Sequence, residues 1–298
     1  MKMMGDCRDM GNRLVHVKDK CLSSHNGIGW MLLTRMEYRC RLGIYMDMEI
    51  AGTRGINLKV LNRDAIKYIA MFTMLLNHIA NMFMTSGTVL YEVLEDIGYF
   101  TAPVMCFFLV EGFDYTSSRT KYGQRLIVFA VISQIPYRLA FQSDMLNMFY
   151  TLLCCFLILV SLELVVTPVY KAFVCVLLII ATAAGTWSFA APICTMLLYY
   201  SKNSRVKTAL SFGATYAVFV PFNIQKYMYD VPGNWTLYAV KHGLLSGVGI
   251  LAAALVILVF YNGQRAKHAQ NFSKWFFYIF YPAHLLVLYF VKVYITHL

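Results

Sequence analysis

Residues 61–84 read LNRDAIKYIAMFTMLLNHIANMFM. After a polar start the segment stays largely apolar for about 20 residues, the length at which an α-helix crosses the hydrocarbon of a bilayer. Its polar interruptions are ordered. Lys67 and His78 are separated by three helical turns to within roughly 20°, so they share one face about 16 Å apart along the axis. Asp64, one turn before Lys67, lies on that face too. Ionisable groups are expensive in hydrocarbon, so each needs a partner or a task. The segment therefore predicts a membrane helix with a single polar stripe, running from a charged end to a histidine past its middle.

Further apolar stretches follow at 97–116, 123–141, 146–166, 169–185, 187–201, 206–222, 238–260 and 274–296. Only 14% of the 298 residues are charged and 59% are hydrophobic, whereas a soluble domain carries about 25% charged residues. The expected fold is all-α: a polytopic integral membrane protein forming one bundle of about nine transmembrane helices, with eight to ten possible, over residues 58–298. Gly185-Thr186 is all that divides the fifth stretch from the sixth, and the sixth, with Pro192, is short and expected to be broken or tilted. Residues 1–57 contain no stretch apolar enough to cross. They form a non-membrane N-terminal extension, either a flexible cytoplasmic segment or an over-called start with translation beginning at Met46 or Met48, and no chemistry is placed there.

The net charge of +11 reads chiefly as orientation. With the N-terminus inside, the inner loops collect Arg119, Lys121 and Arg125, then Lys171, then Lys202, Arg205 and Lys207, then Arg265, Lys267 and Lys274. The outer loops hold Glu92, Glu95 and Asp96, with Arg138, Lys226 and Lys292 as their few basic residues. This alternation follows the positive-inside rule and puts the C-terminus outside. Nucleic acid is excluded as a partner because the basic residues are scattered between apolar segments. The eight cysteines lack metal-ligand spacing, so they read as reduced thiols and no metal site is expected. Asn234-Trp235-Thr236 matches a glycosylation sequon, a short pattern that matters only in a eukaryotic secretory protein.

Four more polar features stand out. Asn77 adjoins His78. His284, in Phe280-Tyr281-Pro282-Ala283-His284, lies at a depth along its helix similar to that of His78, so the two rings can meet; alternatively His284 caps a carbonyl freed by Pro282. Glu111 sits at the inner end of the second span, with Arg125 or Lys121 in reach across the loop. His242 and Lys241 mark the outer end of the eighth span, where an acceptor could enter.

Several of these runs, in order, resemble the TraX family. They are Leu61 to Lys67 with His78; Glu111-Gly112-Phe113 with Tyr115-Thr116, Arg119, Tyr122, Arg125-Leu126 and Ser133 to Pro136; Leu146-Asn147 with Thr151-Leu152; and Phe277-Tyr278 with Phe280 to Leu285. The resemblance covers about residues 58–298. It is similar as well to wider membrane O-acyltransferases, many of which open with Asp-x-x-Arg, ten residues, then His; here Asp64, Lys67 and His78 keep that layout with Lys in place of Arg, which retains charge and loses the bidentate fork.

The resemblance implies an acetyltransferase of the bacterial inner membrane that takes acetyl from cytosolic acetyl-CoA. Its acceptor would be a pilin-like peptide amine or a small molecule. His78 is then the expected base, with His284 in reserve or orienting the acceptor and Asn77 beside them. Arg119, Lys121 and Arg125 would hold the phosphates of CoA, helped by Lys67, with Asp64 and Glu111 completing the donor end. Direct transfer and an acetyl-histidine intermediate both fit. Alternatives are O-acetylation of an envelope glycan, and a transporter or membrane scaffold without covalent chemistry. Oligomeric state stays open.

Overall fold

The computed structural model describes residues 58–230, 236–266 and 270–297. The N-terminal extension, the sequon residues Asn234 and Trp235, and Lys267 lie outside them. The described residues are helical, with two isolated β-bridges and no strand.

The first helix, α1 (Arg63–Phe83), starts where Asn62 accepts a hydrogen bond from Ala65 N at 2.9 Å, with Asp64 in its first turn. An oxygen cap and an early acid satisfy and complement the free amides of a helix start. Helices α2 (Val89–Gly98) and α3 (Thr101–Tyr115) run on as one rod of 27 residues. Then come α4 (Arg119–Phe141), capped by Ser118, and α5 (Met148–Leu164), capped by Asn147. Helix α6 (Pro168–Ala181) begins on a proline and ends in a 3₁₀ turn, Thr182–Ala184. Helices α7 (Ala190–Ser201) and α8 (Arg205–Asp230) follow. The next rod comprises α9 (Thr236–Ser246), α10 (Val248–Leu255) and a π-helical turn, Val256–Phe260. Helix α11 (Gln270–Thr296) closes the chain.

Every apolar stretch read from the sequence is thus helical. Three rods, Val89–Tyr115, Leu237–Phe260 and Phe272–Thr296, are long and apolar enough to cross a membrane; Met148–Leu164, Pro168–Ala184 and Ala190–Ser201 are apolar but shorter. Helix α1 is long enough but carries the polar stripe.

The structure corrects three local expectations. The acids expected in an outer loop, Glu92, Glu95 and Asp96, lie in helix α2, and Glu92 and Glu95 are buried. Pro192 does not break its helix: it falls in the first turn of α7, where a missing N–H costs nothing. The break comes before it, at Gly185, which pairs with Leu146 and where a Cβ would come within 2.5 Å of Thr151 Oγ1. Lys226, expected in an outer loop, is in α8, which runs on to Asp230.

The core gathers Ile66 and Met74 of α1, Val104 and Phe108 of α3, Phe149 of α5, Phe212 of α8, Ile250 of α10 and Leu285 of α11. Helix α6 packs on α5 and shows Val169, Phe173, Val176 and Ile180 outward. Cys106, Cys154, Cys155, Cys175 and Cys194 are buried free thiols.

Candidate active site

Helices α1 and α11 set out from the same end of the bundle. Leu61 pairs with Tyr261, and Arg63 N donates to Gln264 O at 2.8 Å, so the segment before α11 lies against the start of α1. Charged side chains converge there. Arg63 is 7% exposed; its Nε lies 3.3 Å from Glu111 Oε2, and its Nη2 donates to Phe108 O at 3.1 Å. Glu111 also accepts the Tyr261 hydroxyl at 2.5 Å. Asp64 accepts from Ser273 Oγ at 2.5 Å and from Ala266 N at 2.8 Å. The Lys67 ammonium rests between two rings, 5.8 Å from the centre of Phe108 and 5.4 Å from that of Phe277, and makes no ion pair among the described residues. Cation–π contact stabilises a charge there without cancelling it. Arg125 stacks over Tyr122 and lies beside Tyr278, and Arg265 and Lys274 are close by. This end of the molecule therefore presents five cations, Arg63, Lys67, Arg125, Arg265 and Lys274, against two carboxylates. That surplus draws anions.

Two more of the expected cations have other surroundings. Arg119 pairs with Glu163 at 2.5 Å and covers Phe113. The Lys121 side chain is exposed. Glu111, expected to pair with Arg125 or Lys121, pairs with Arg63, because the carboxylate on α3 packs against the first turn of α1. The sequence reading passed over Arg63; its only signal was its place in the same polar run as Asp64 and Lys67.

Beyond Lys67 the interface of α1 and α11 with α3 and α5 holds a small apolar cavity of about 20 Å³, room for about one water molecule. Met74, Met105, Phe149, Leu152, Phe277 and Tyr281 line it. Thr101 reaches its edge, where its hydroxyl donates to Ala70 O at 2.8 Å. Phe277 is shared with Lys67, and Met74 lies one turn before His78.

At the far end the two histidines meet. His78 Nδ1 and His284 Nε2 are 2.8 Å apart, and the ring planes are within 10° of parallel. His284 Nδ1 lies 2.8 Å from the carbonyl oxygen of Phe280, one turn earlier on its own helix. The carbonyl that Pro282 frees is that of Tyr278, so the contact is not the cap of a proline-freed carbonyl. Phe141, Tyr281 and Phe280 surround the pair. His284 is 6% exposed and His78 is half-buried. Asn77, expected beside them, faces another way: its amide donates to Glu95 O at 3.0 Å and ties α1 to α2.

A second polar cluster, unforeseen as a unit, joins α2 to α8 and α9. Glu95 accepts from Lys226 Nζ at 2.6 Å and from the hydroxyls of Tyr91 and Tyr227. Glu92 holds His242 Nδ1 at 2.6 Å and the Tyr238 hydroxyl. Its signal in the sequence was three acids at one helical spacing in α2, together with lone basic residues in apolar helices far along the chain.

A family model described as TraX protein matches residues 62–292. A relative described as "Probable fimbrial assembly protein FimC, serogroup H1", from Dichelobacter nodosus, is 28% identical over 249 residues, covering 77% of this chain and 95% of the relative. No solved structure matches the chain.

Proposed function

The chain belongs to the TraX family, and from that we propose that it is a membrane-embedded acetyltransferase, moving acetyl from cytosolic acetyl-CoA to the amine of a pilin-type peptide. The apolar rods and the family support a membrane protein; the fimbrial relative supports a pilin-associated role. The bundle sits in a bacterial inner membrane, with the cationic end toward the cytosol and the C-terminus outside, as the positive-inside rule directs.

One observation carries the reading: His78, bonded to His284, and Lys67 of the anion-attracting mouth stand on one face of one helix. The mouth suits the phosphates of a nucleotide thioester, since charge-assisted contacts with guanidinium and ammonium groups are the strong ones. The side chains between mouth and histidines include Met74, Met105 and Phe277, whose apolar character suits the uncharged pantetheine arm, and for that arm to pass they must part beyond the small cavity they line. His78 takes a proton from the acceptor amine as its nitrogen bonds the acetyl carbon. The carbon–sulfur bond breaks, and the proton passes to the departing thiolate. Tyr281 lines the cavity, and its oxygen accepts from Met148 N at 3.3 Å, leaving its own proton for the carbonyl oxygen of a bound thioester.

The donor site is tested by steady-state kinetics on purified protein. Each charge-assisted contact contributes about 1.5–3 kcal/mol, so Arg125→Ala raises the KM for acetyl-CoA about tenfold or more with little change in kcat. An unchanged KM contradicts this mouth as the donor site.

A further inference from the structure

The hydrogen bonds around the histidine pair fix where its protons sit. A carbonyl oxygen only accepts, so the 2.8 Å contact with Phe280 O places a hydrogen on His284 Nδ1. A neutral imidazole carries one N–H, so His284 Nε2 is a lone pair. His78 Nδ1 faces that lone pair at 2.8 Å, a distance that requires a hydrogen between them. For two neutral rings the hydrogen is on His78 Nδ1, and the lone pair of His78 is therefore on Nε2. The chain runs in one direction: Phe280 carbonyl, His284, His78.

We propose that His284 is a positioning residue that holds His78 in the Nδ1–H tautomer and presents Nε2 as the proton-accepting atom, with the Phe280 carbonyl as the fixed anchor. Free histidine in water favours the opposite tautomer, so without His284 the base would lose its lone pair at the atom that needs it. The kinetic part of this proposal rests on the acetyl-transfer reading above; the tautomer does not. During transfer Nε2 takes the amine proton as the N–C bond forms. The positive charge that develops on His78 strengthens its bond to His284, as charge assistance does. Its proton goes no further, because His284 Nδ1 points at a carbonyl that is no base. The proton returns through Nε2 to the thiolate released when the C–S bond breaks. The same logic governs histidines whose tautomer is set by the hydrogen bond at the other nitrogen.

The test joins spectroscopy to kinetics on the full chain in detergent. With ¹⁵N-labelled histidine, and with the His78 signals assigned by their loss in His78→Asn, NMR at a pH where both rings are neutral should show hydrogen on Nδ1 of both residues. A neutral His78 protonated at Nε2 overturns the proposal. His284→Phe removes the acceptor: kcat falls about 10- to 100-fold, the KM for acetyl-CoA stays within about twofold, and His78 shifts toward Nε2–H. His284→Gln, whose amide oxygen takes the place of Nε2, restores kcat to within about fivefold. Equal losses in both variants with an unmoved tautomer would mark His284 as packing only. A wild-type protein that shows the tautomer but transfers no acetyl group refutes the acetyltransferase reading and leaves the proton placement standing.

Discussion

Arg63 adjoins two residues that the helical period singles out, Asp64 and Lys67, yet its own partner, Glu111, comes from α3. The stripe from Asp64 through Lys67 to His78 was legible because a helix period is all it takes to place those residues on one face. His284 was legible by counting depth along its own helix. The Arg63–Glu111 pair was not, since contact between helices leaves no trace in the spacing along either one, and the basic residues nearest Glu111 in the chain were Lys121 and Arg125. With side-chain exposures of 8% and 15%, the pair is largely shielded from solvent, and removing one partner strands a charge. Glu111→Leu is expected to cost about 3–5 kcal/mol. It should lower the thermal unfolding midpoint in detergent markedly, and the double variant Arg63→Met with Glu111→Leu should recover much of the loss. A single variant as stable as wild type would show that the pair is solvated rather than buried.

Helix α2 shows what apolarity alone misses. Its acids recur at helical spacing, and a reading that equates charge with water sends them to a loop. The structure buries Glu92 and Glu95 because Lys226, Tyr227, Tyr238 and His242 reach them from α8 and α9, helices more than a hundred residues further on. Helix α2 also comes unusually close to α1. A Cβ at Gly98 would lie 2.1 Å from Asn77 Cβ, beside His78; small residues permit such approaches between packed membrane helices. Overpacking of this kind costs about 1–3 kcal/mol. Gly98→Ala is expected to lower the unfolding midpoint by a corresponding amount and to reduce turnover by shifting α1 at the histidine. Wild-type stability and turnover in this variant would mean that α1 and α2 separate freely.

At the scale of the whole molecule, the order of the helices among the described residues was legible because each apolar run in the sequence folds as a helix. The seam between α6 and α7 was not, because it depends on how closely Gly185 approaches Thr151 rather than on composition. The cationic end was legible as a charge surplus and only partly in its members: Lys67 and Arg125 gather with Arg63, Arg265 and Lys274, while Arg119 turns to Glu163. The charged mouth and the histidine pair both draw on α1 and α11, and the account depends on chemistry at the histidine pair. The direct measurement is the transfer of radiolabelled acetyl from acetyl-CoA to a peptide amine by the purified protein. The account predicts transfer by the wild type and a loss of about 100-fold or more in His78→Ala, with the variant folded and still binding acetyl-CoA. Full turnover by His78→Ala would contradict it.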